Sequence, residues 1–356
     1  MQPAPLFSLA SVRFALLLAV ALAFAPSLAP AQSQAADDAQ ILDLTIPFLT
    51  LRNRTTAADP GDMYGDERNG LSAGTCRVRE LDLGSFAPLA DQAPGFLREE
   101  LLRLDQVEQM ESAAVLDLLE MTADGHGPVI YVHGYNIGFE KGCQRAALLN
   151  DNAQIGGRLL WFSWPSDGSL AYYTHDEADL YWSVPDLADT IIELHRRFGN
   201  DNVNVVGHSL GGRGVILALY DVANRHPDIR LGEVVLLAPD MDFAIFERIL
   251  PRISNLADSI TLYVSDSDRP LALSNRLHGY PRLGEAGNSV VKLAGVEVID
   301  VSDLPSSDPT GHLYHIYSEG VGADLNQLLN EGQAANVRQN IDRVGANLWR
   351  LRPREE

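Results

Sequence analysis

Near residue 129 the pattern of apolar and polar positions changes. From there on, short runs that are almost wholly apolar alternate with stretches of helical spacing. The runs 129–132, 158–163, 203–206, 233–238, 259–264 and 296–301 predict strands. A strand with apolar side chains at consecutive positions has both faces buried, which is typical of a parallel sheet covered by helices. The intervening stretches predict helices over 139–149, 176–198, 211–225, 243–250 and 270–277. This alternation predicts an α/β fold with a mostly parallel central sheet and helices on both faces. Ligands in such folds bind beyond the carboxyl ends of the strands.

Upstream the pattern is weaker. Residues 41–51 alternate loosely and predict a first strand, 52–75 are rich in Gly, Asp and Asn and read as a loop, and 76–79 form a short candidate strand. Between 94 and 122, Leu97, Leu101, Leu104, Val107 and Met110 have helical spacing, with interruption by strand segments left open. At the far end Val337, Ile341, Val344 and Leu348 give 333–356 one apolar helical face. That predicts a C-terminal helical tail, docked on the domain or on another subunit. At the near end Arg13 precedes the apolar run 14–24, and Ala29-Pro30-Ala31 offers a cleavage site, with Ser33-Gln34-Ala35 as a second choice. A spanning helix needs about 20 apolar residues, so the shorter run predicts a signal peptide over 1–31, with an uncleaved N-terminal anchor as the alternative. The expected organisation is signal peptide 1–31, tail 32–40, α/β domain 41–332 and helical tail 333–356. The protein is expected to be exported, periplasmic or secreted, with no stable membrane span after cleavage.

Composition narrows the function classes. The 356 residues carry a formal charge of −21, which excludes a nucleic-acid partner, since phosphate binding needs basic surface. Cys76 and Cys143 are the two cysteines. In an exported protein they form either a disulfide or two separate buried thiols, and their spacing matches no metal-ligand motif.

The chemistry centres on Gly207-His208-Ser209-Leu210-Gly211, which lies between a predicted strand and a predicted helix. Strand, Gly-x-Ser-x-Gly and helix form an elbow that holds the serine in a strained, projecting conformation. A serine nucleophile needs a base, and the base needs an orienting carboxylate. After the strand 259–264 comes Ser265-Asp266-Ser267-Asp268-Arg269, and after 296–301 comes Gly311-His312-Leu313-Tyr314-His315. Asp268 is the preferred acid, with Asp266 as the alternative and the other of the two capping the following helix. His312 is the preferred base, with His315 as the alternative, although His315 reads more as a packed histidine. The oxyanion hole needs two backbone N–H groups, expected from Leu210 and from Tyr135 in His133-Gly134-Tyr135-Asn136. His133 and His208 read as structural. Trp161, Trp164, Tyr172, Tyr173, Tyr181 and Trp182 form either a lid or pocket wall, or aromatic packing under a loop.

With these residues assembled, the chain resembles the α/β-hydrolase superfamily, and within it the bacterial esterase/lipase-like DUF900 family. The matching pieces are Val132-His133-Gly134-Tyr135-Asn136, Phe162-Ser163-Trp164-Pro165-Ser166, Gly207-His208-Ser209-Leu210-Gly211, Ala238-Pro239-Asp240-Met241-Asp242, Leu262-Tyr263-Val264-Ser265, Asp268-Arg269, Arg276-Leu277-His278-Gly279 and Gly311-His312. Tyr64-Gly65-Asp66-Glu67-Arg68 matches as well. The family favours Met where this chain has Leu210, and either supplies the same N–H. The resemblance covers about 41–330 and implies the α/β-hydrolase fold and a Ser209–Asp268–His312 triad. It implies no substrate.

The expected function is an exported serine hydrolase acting on carboxylic esters, on a small-molecule or lipid substrate, with no metal or organic cofactor. Two alternatives stand beside it. One is lipase or acyltransferase action on envelope lipids. The other is a non-catalytic binding protein on a hydrolase fold. The sequence leaves acyl chain length and oligomeric state open.

Overall fold

The structure is a computed structural model, and it describes residues 42–82, 95–169, 172–306 and 308–353. The expected signal peptide and N-terminal tail lie outside these residues. The central sheet has eleven strands: β1 (Asp43–Arg54), β2 (Tyr64–Glu80), β3 (Leu102–Met110), β4 (Val129–Val132), β5 (Leu159–Ser163), β6 (Asn204–His208), β7 (Leu231–Leu237), β8 (Ala257–Val264), β9 (Val296–Asp300), β10 (Ile341–Arg343) and β11 (Leu348–Leu351). Their order across the sheet is β10-β11-β9-β8-β7-β6-β4-β5-β1-β2-β3. The run from β1 to β11 through β5, β4, β6, β7, β8 and β9 is parallel, and antiparallel pairs close the two edges.

Strand periodicity divides the apolar runs between two cores. Ile130, Val132, Leu160, Phe162 and Val205 pack on one face with residues of the helices Tyr173–Phe198, Leu210–Arg225 and Phe243–Ile253. Val129, Tyr131, Leu159, Trp161 and Val206 pack on the other with the helices Phe139–Ala153 and Glu319–Leu329. This is the α/β class, with helices on both faces. The chain leaves β4 toward β5, then crosses back to place β6 on the other side of β4. The β4/β6 boundary is therefore the topological switch point, where such sheets open a crevice for ligands.

Three upstream and terminal expectations change. Residues 64–80, expected largely as loop, form the long strand β2, antiparallel to β1 with register shifts around Arg52. Its first half is mostly exposed, and backbone pairing alone suffices where neither face needs apolar side chains. The helically spaced 94–122 stretch becomes a short helix Gly95–Arg98, a 3-10 turn, β3 and a helix Ser112–Thr122. Among the described residues the expected C-terminal helix does not form. Residues 341–351 form the β10–β11 hairpin, with β11 adding to the sheet beside β9. Trp349 and Leu351, two residues apart, are buried, while Val337 and Val344 of the supposed helical face are exposed. The open backbone edge of β9 offers hydrogen bonds that an isolated amphipathic helix would forgo. No helix among the described residues is long and apolar enough to cross a membrane.

Of the two cysteine alternatives, the structure holds the disulfide, joining β2 to the helix Phe139–Ala153 across a sequence separation of 67. Closing a loop of that length restricts the unfolded chain, by about 4 kcal/mol in the chain-entropy model. A Cys76→Ala/Cys143→Ala double variant is therefore expected to lose about 2–5 kcal/mol in urea unfolding, and an unchanged midpoint would contradict a closed bridge.

Candidate active site

β6 ends on His208, and Ser209 turns the chain into the helix Leu210–Arg225 with φ 54° and ψ −122°. A non-glycine residue in that region costs about 1–3 kcal/mol and persists only when its surroundings over-determine it. Backbone hydrogen bonds do so here. The Ser209 amide donates to the Leu237 carbonyl at 2.9 Å, and the Ser209 carbonyl accepts from Gly212 and Asp240 amides, both at 3.0 Å. Close approach dictates the motif's glycines. A Cβ on Gly211 would lie 2.2 Å from the His133 carbonyl oxygen, and one on Gly207 would lie 2.7 Å from Gly212 Cα. A Cβ on Gly134 would stand 3.0 Å from Ser209 Cβ, so the loop after β4 lies directly on the elbow. That loop covers the serine, which is 6% exposed rather than open to solvent.

The two candidate acids separate clearly. Asp266 is exposed, and its amide donates to Ser302 Oγ at 3.0 Å. Asp268, at the end of β8, is buried and serves both purposes expected of the pair. Its Oδ1 caps the helix Arg269–His278 by accepting from the Leu271 amide at 2.9 Å. Its Oδ2 accepts from His312 Nδ1 at 2.6 Å. With Nδ1 donating, Nε2 of neutral His312 is left as a proton acceptor. Burial disfavours the His312 cation, but the Asp268 carboxylate outweighs it, and the ring is held above its ordinary value.

Sequence reasoning missed what holds this loop. Buried Asp308 accepts from the Thr310 amide at 2.8 Å and the Leu313 amide at 2.9 Å, and the Thr310 carbonyl accepts from the Arg269 amide at 3.1 Å. His208 Nε2 donates to the His312 carbonyl at 3.2 Å, tying the elbow to the histidine loop. His315 is fully buried, its ring 4.1 Å from that of His208, and neither of its nitrogens has a hydrogen-bond partner. It is thus a core residue.

On the opposite side, buried Arg52 braces the loop after β4. Its guanidinium donates to Ser163 Oγ at 2.9 Å, to the Gly65 and Ser166 carbonyls at 3.0 Å, and to the Ile137 carbonyl at 2.6 Å. Burial lowers its pKa to about 10. Asp176 accepts from the Asn136 amide at 3.1 Å, and Ser166 Oγ accepts from the Ile137 amide at 3.0 Å. His133 stacks on Trp164 at 5.0 Å, and Trp164 Nε1 donates to the His133 carbonyl at 2.8 Å. Burial, aided by Arg52, pushes the His133 ring down to about 3. Trp161 and Trp164 are therefore core residues, whereas Tyr172, Tyr181 and Trp182 are exposed.

A second missed group is Asp240, at the end of β7. Its carboxylate accepts from Arg282 Nε at 2.6 Å and Ser274 Oγ at 2.7 Å, and its carbonyl accepts from Arg213 Nε at 2.6 Å. Burial would raise this carboxyl, but the Arg213 and Arg282 cations outweigh it and hold it below the usual carboxylate range. The sequence marked Asp240 only as part of the family-like piece Ala238-Pro239-Asp240-Met241-Asp242, with no role attached.

The sheet and the elbow at its switch point define an α/β hydrolase. The chain belongs to the family described as alpha/beta hydrolase of unknown function (DUF900), whose model matches residues 109–331. Among curated proteins none matches the sequence. Among solved structures, the predicted CIB-like hydrolase from Thermoplasma acidophilum is 14% identical, with 72% of this chain and 93% of that chain covered and a TM-score of 0.34. The thermostable carboxylesterase EstE1 from a metagenomic library is 13% identical, with 89% and 94% covered and a TM-score of 0.36. Carboxylesterase CesB from Bacillus subtilis is 13% identical, with 59% and 85% covered and a TM-score of 0.31. At that distance these likenesses carry no argument about substrate.

Burial holds His315 neutral, its pKa well below the ordinary value. The unfolded chain therefore binds a proton there that the folded chain does not, so this contribution is present above about pH 6.5 and lost as pH falls below it. A His315→Phe variant is expected to lose about 1.4 kcal/mol less than the wild type between about pH 7.5 and about pH 5.5. Urea melts at both pH values check this, and parallel losses would contradict it.

Proposed function

We propose that this protein is an exported serine hydrolase that cleaves carboxylic esters through an acyl-enzyme. The observation that carries the reading is the 2.6 Å contact between His312 Nδ1 and Asp268 Oδ2, in the segments that follow β8 and β9, on the same sheet as the strained Ser209 after β6. His312 Nε2 takes the Ser209 hydroxyl proton as Oγ forms its bond to the ester carbonyl carbon. The carbonyl oxygen becomes an oxyanion, held by the amides of Leu210, which heads its helix, and of Tyr135. The neighbouring amides of Asn136 and Ile137 are already committed to Asp176 and Ser166, which supports Tyr135 as the donor from that loop. The C–O bond to the leaving group then breaks, and the imidazolium returns its proton to the departing alcohol. Water repeats the sequence on the acyl-enzyme, releasing the acid and restoring Ser209.

Export is supported by two independent features. The apolar run 14–24, followed by Ala29-Pro30-Ala31, has the makeup of a secretory signal. The Cys76–Cys143 bridge suits an oxidising compartment. The substrate is a small-molecule or lipid ester.

A fluorophosphonate is expected to add once to the wild type and not to Ser209→Ala, as read by intact mass. A folded wild type that takes no adduct would overturn the assignment of the nucleophile. Because the base must be neutral, kcat/KM is expected to rise with pH through an inflection above about 6.5, the ordinary imidazole value. Asp268→Asn removes the anion that raises it, so the inflection moves down and kcat falls by about 10³–10⁴. An unmoved inflection would remove Asp268 from the proposal.

A further inference from the structure

At the first turn of the helix Tyr173–Phe198, three ligand-bearing side chains outside the Ser209 site converge. His175 and Asp179 are four residues apart and share one helical face. Asp167 reaches them from the segment that precedes the helix. His175 Nδ1 lies 2.6 Å from Asp167 Oδ2 and 3.4 Å from Asp179 Oδ2, and the candidate ligand atoms of the three residues all lie within 4.8 Å of one another.

A second observation points into the same space. Asp179 is 2% exposed. Its Oδ1 accepts from Arg68 Nε at 2.5 Å, but its buried Oδ2 has no hydrogen-bond partner. A buried carboxylate oxygen without a donor bears a desolvation cost that a cation would offset. That oxygen faces the His175 nitrogen, and the His175 side chain is 58% exposed, which leaves an approach from solvent.

We propose that Asp167, His175 and Asp179 form a binding site for a divalent transition-metal ion of the Zn²⁺ class. One imidazole and two carboxylates match the mixed nitrogen and oxygen preference of such ions, whereas Ca²⁺ and Mg²⁺ favour oxygen ligands throughout. A tetrahedral ion with bonds of about 2.1 Å separates its ligand atoms by about 3.4 Å. The His175–Asp179 pair already has that spacing, and the His175–Asp167 contact needs to open by less than about 1 Å. Solvent takes the fourth position.

The site is distinct from Ser209 and independent of the proposed ester hydrolysis. Its consequence is mechanical. The segment that supplies Asp167 also supplies Ser166, which receives the Ile137 amide, and Ser169, whose carbonyl accepts from Tyr135 Oη at 3.3 Å. An ion joining Asp167 to the helix stiffens that wall.

The test uses the full-length purified chain, stripped with a chelator and titrated with zinc chloride by calorimetry, with native mass spectrometry and thermal unfolding alongside. The expected result is one ion per chain and a rise in Tm that grows with zinc concentration. His175→Ala, at an exposed position, and Asp167→Asn are each expected to keep the metal-free Tm and to bind Zn²⁺ at least about tenfold more weakly. Equal affinity in wild type and His175→Ala, or no zinc-dependent change in wild-type Tm, would overturn the proposal.

Discussion

The backbone of Ser209 is the constraint on which the rest of the site is built. A residue with a Cβ, held at φ 54° and ψ −122°, costs about 1–3 kcal/mol. Each of the backbone hydrogen bonds that hold it contributes about 1 kcal/mol, which together offset that cost. The partners come from two elements: Leu237 and Asp240 from the end of β7 and the segment after it, Gly212 from the helix that follows. The elbow is thus stable only when the parallel sheet has already set β6 beside β7. Gly207 and Gly211 follow from the same geometry, because the backbone passes too close on either side for a Cβ.

Around this turn, two buried polar assemblies fix the loops that meet it. Arg52 reaches from β1 to the Gly65 carbonyl of β2, the Ile137 carbonyl in the loop after β4 and the Ser166 carbonyl in the segment after β5. Asp240, clamped by Arg213 and Arg282, supplies both an amide to Ser209 and a negative charge that favours the cationic form of His312. Both lie where solvent screening is weak, so their charges act at full strength on the groups beside them. The His312 loop has its own brace in Asp308, and His208 links it to the elbow. Each loop of the site is therefore held by at least one buried polar group.

The sequence was most informative where local pattern and tertiary role coincide. The strands from β4 to β9 and the helices between them were legible because burial on both faces leaves unbroken apolar runs. Ser209, Asp268 and His312 stood out as candidates because each comes after such a run, in the order that an α/β-hydrolase arrangement requires. The assignment failed where the backbone's partner, not the side chain, decides the structure. Residues 64–71 are polar enough for a loop, yet pair with β1 as strand. Residues 341–351 have helical spacing, yet join the edge of β9, and only the period of Trp349 and Leu351 hinted at that. Asp308 and Arg52 lie in no motif, and the piece that contains Asp240 gave it no role, since the importance of all three lies in what they touch.

By itself, then, the sequence determined the α/β class, the order in which Ser209, Asp268 and His312 follow their strands, and the two cysteines available for pairing. These follow from periodicity, spacing and residue chemistry, which are local or countable. The tertiary structure alone decided that Asp268 rather than Asp266 meets His312, that His315 is core, that Cys76 bonds Cys143 and that the C-terminus is sheet. Each of these is settled by distance between residues far apart in the chain, and sequence separation carries no such distance until the sheet order is fixed.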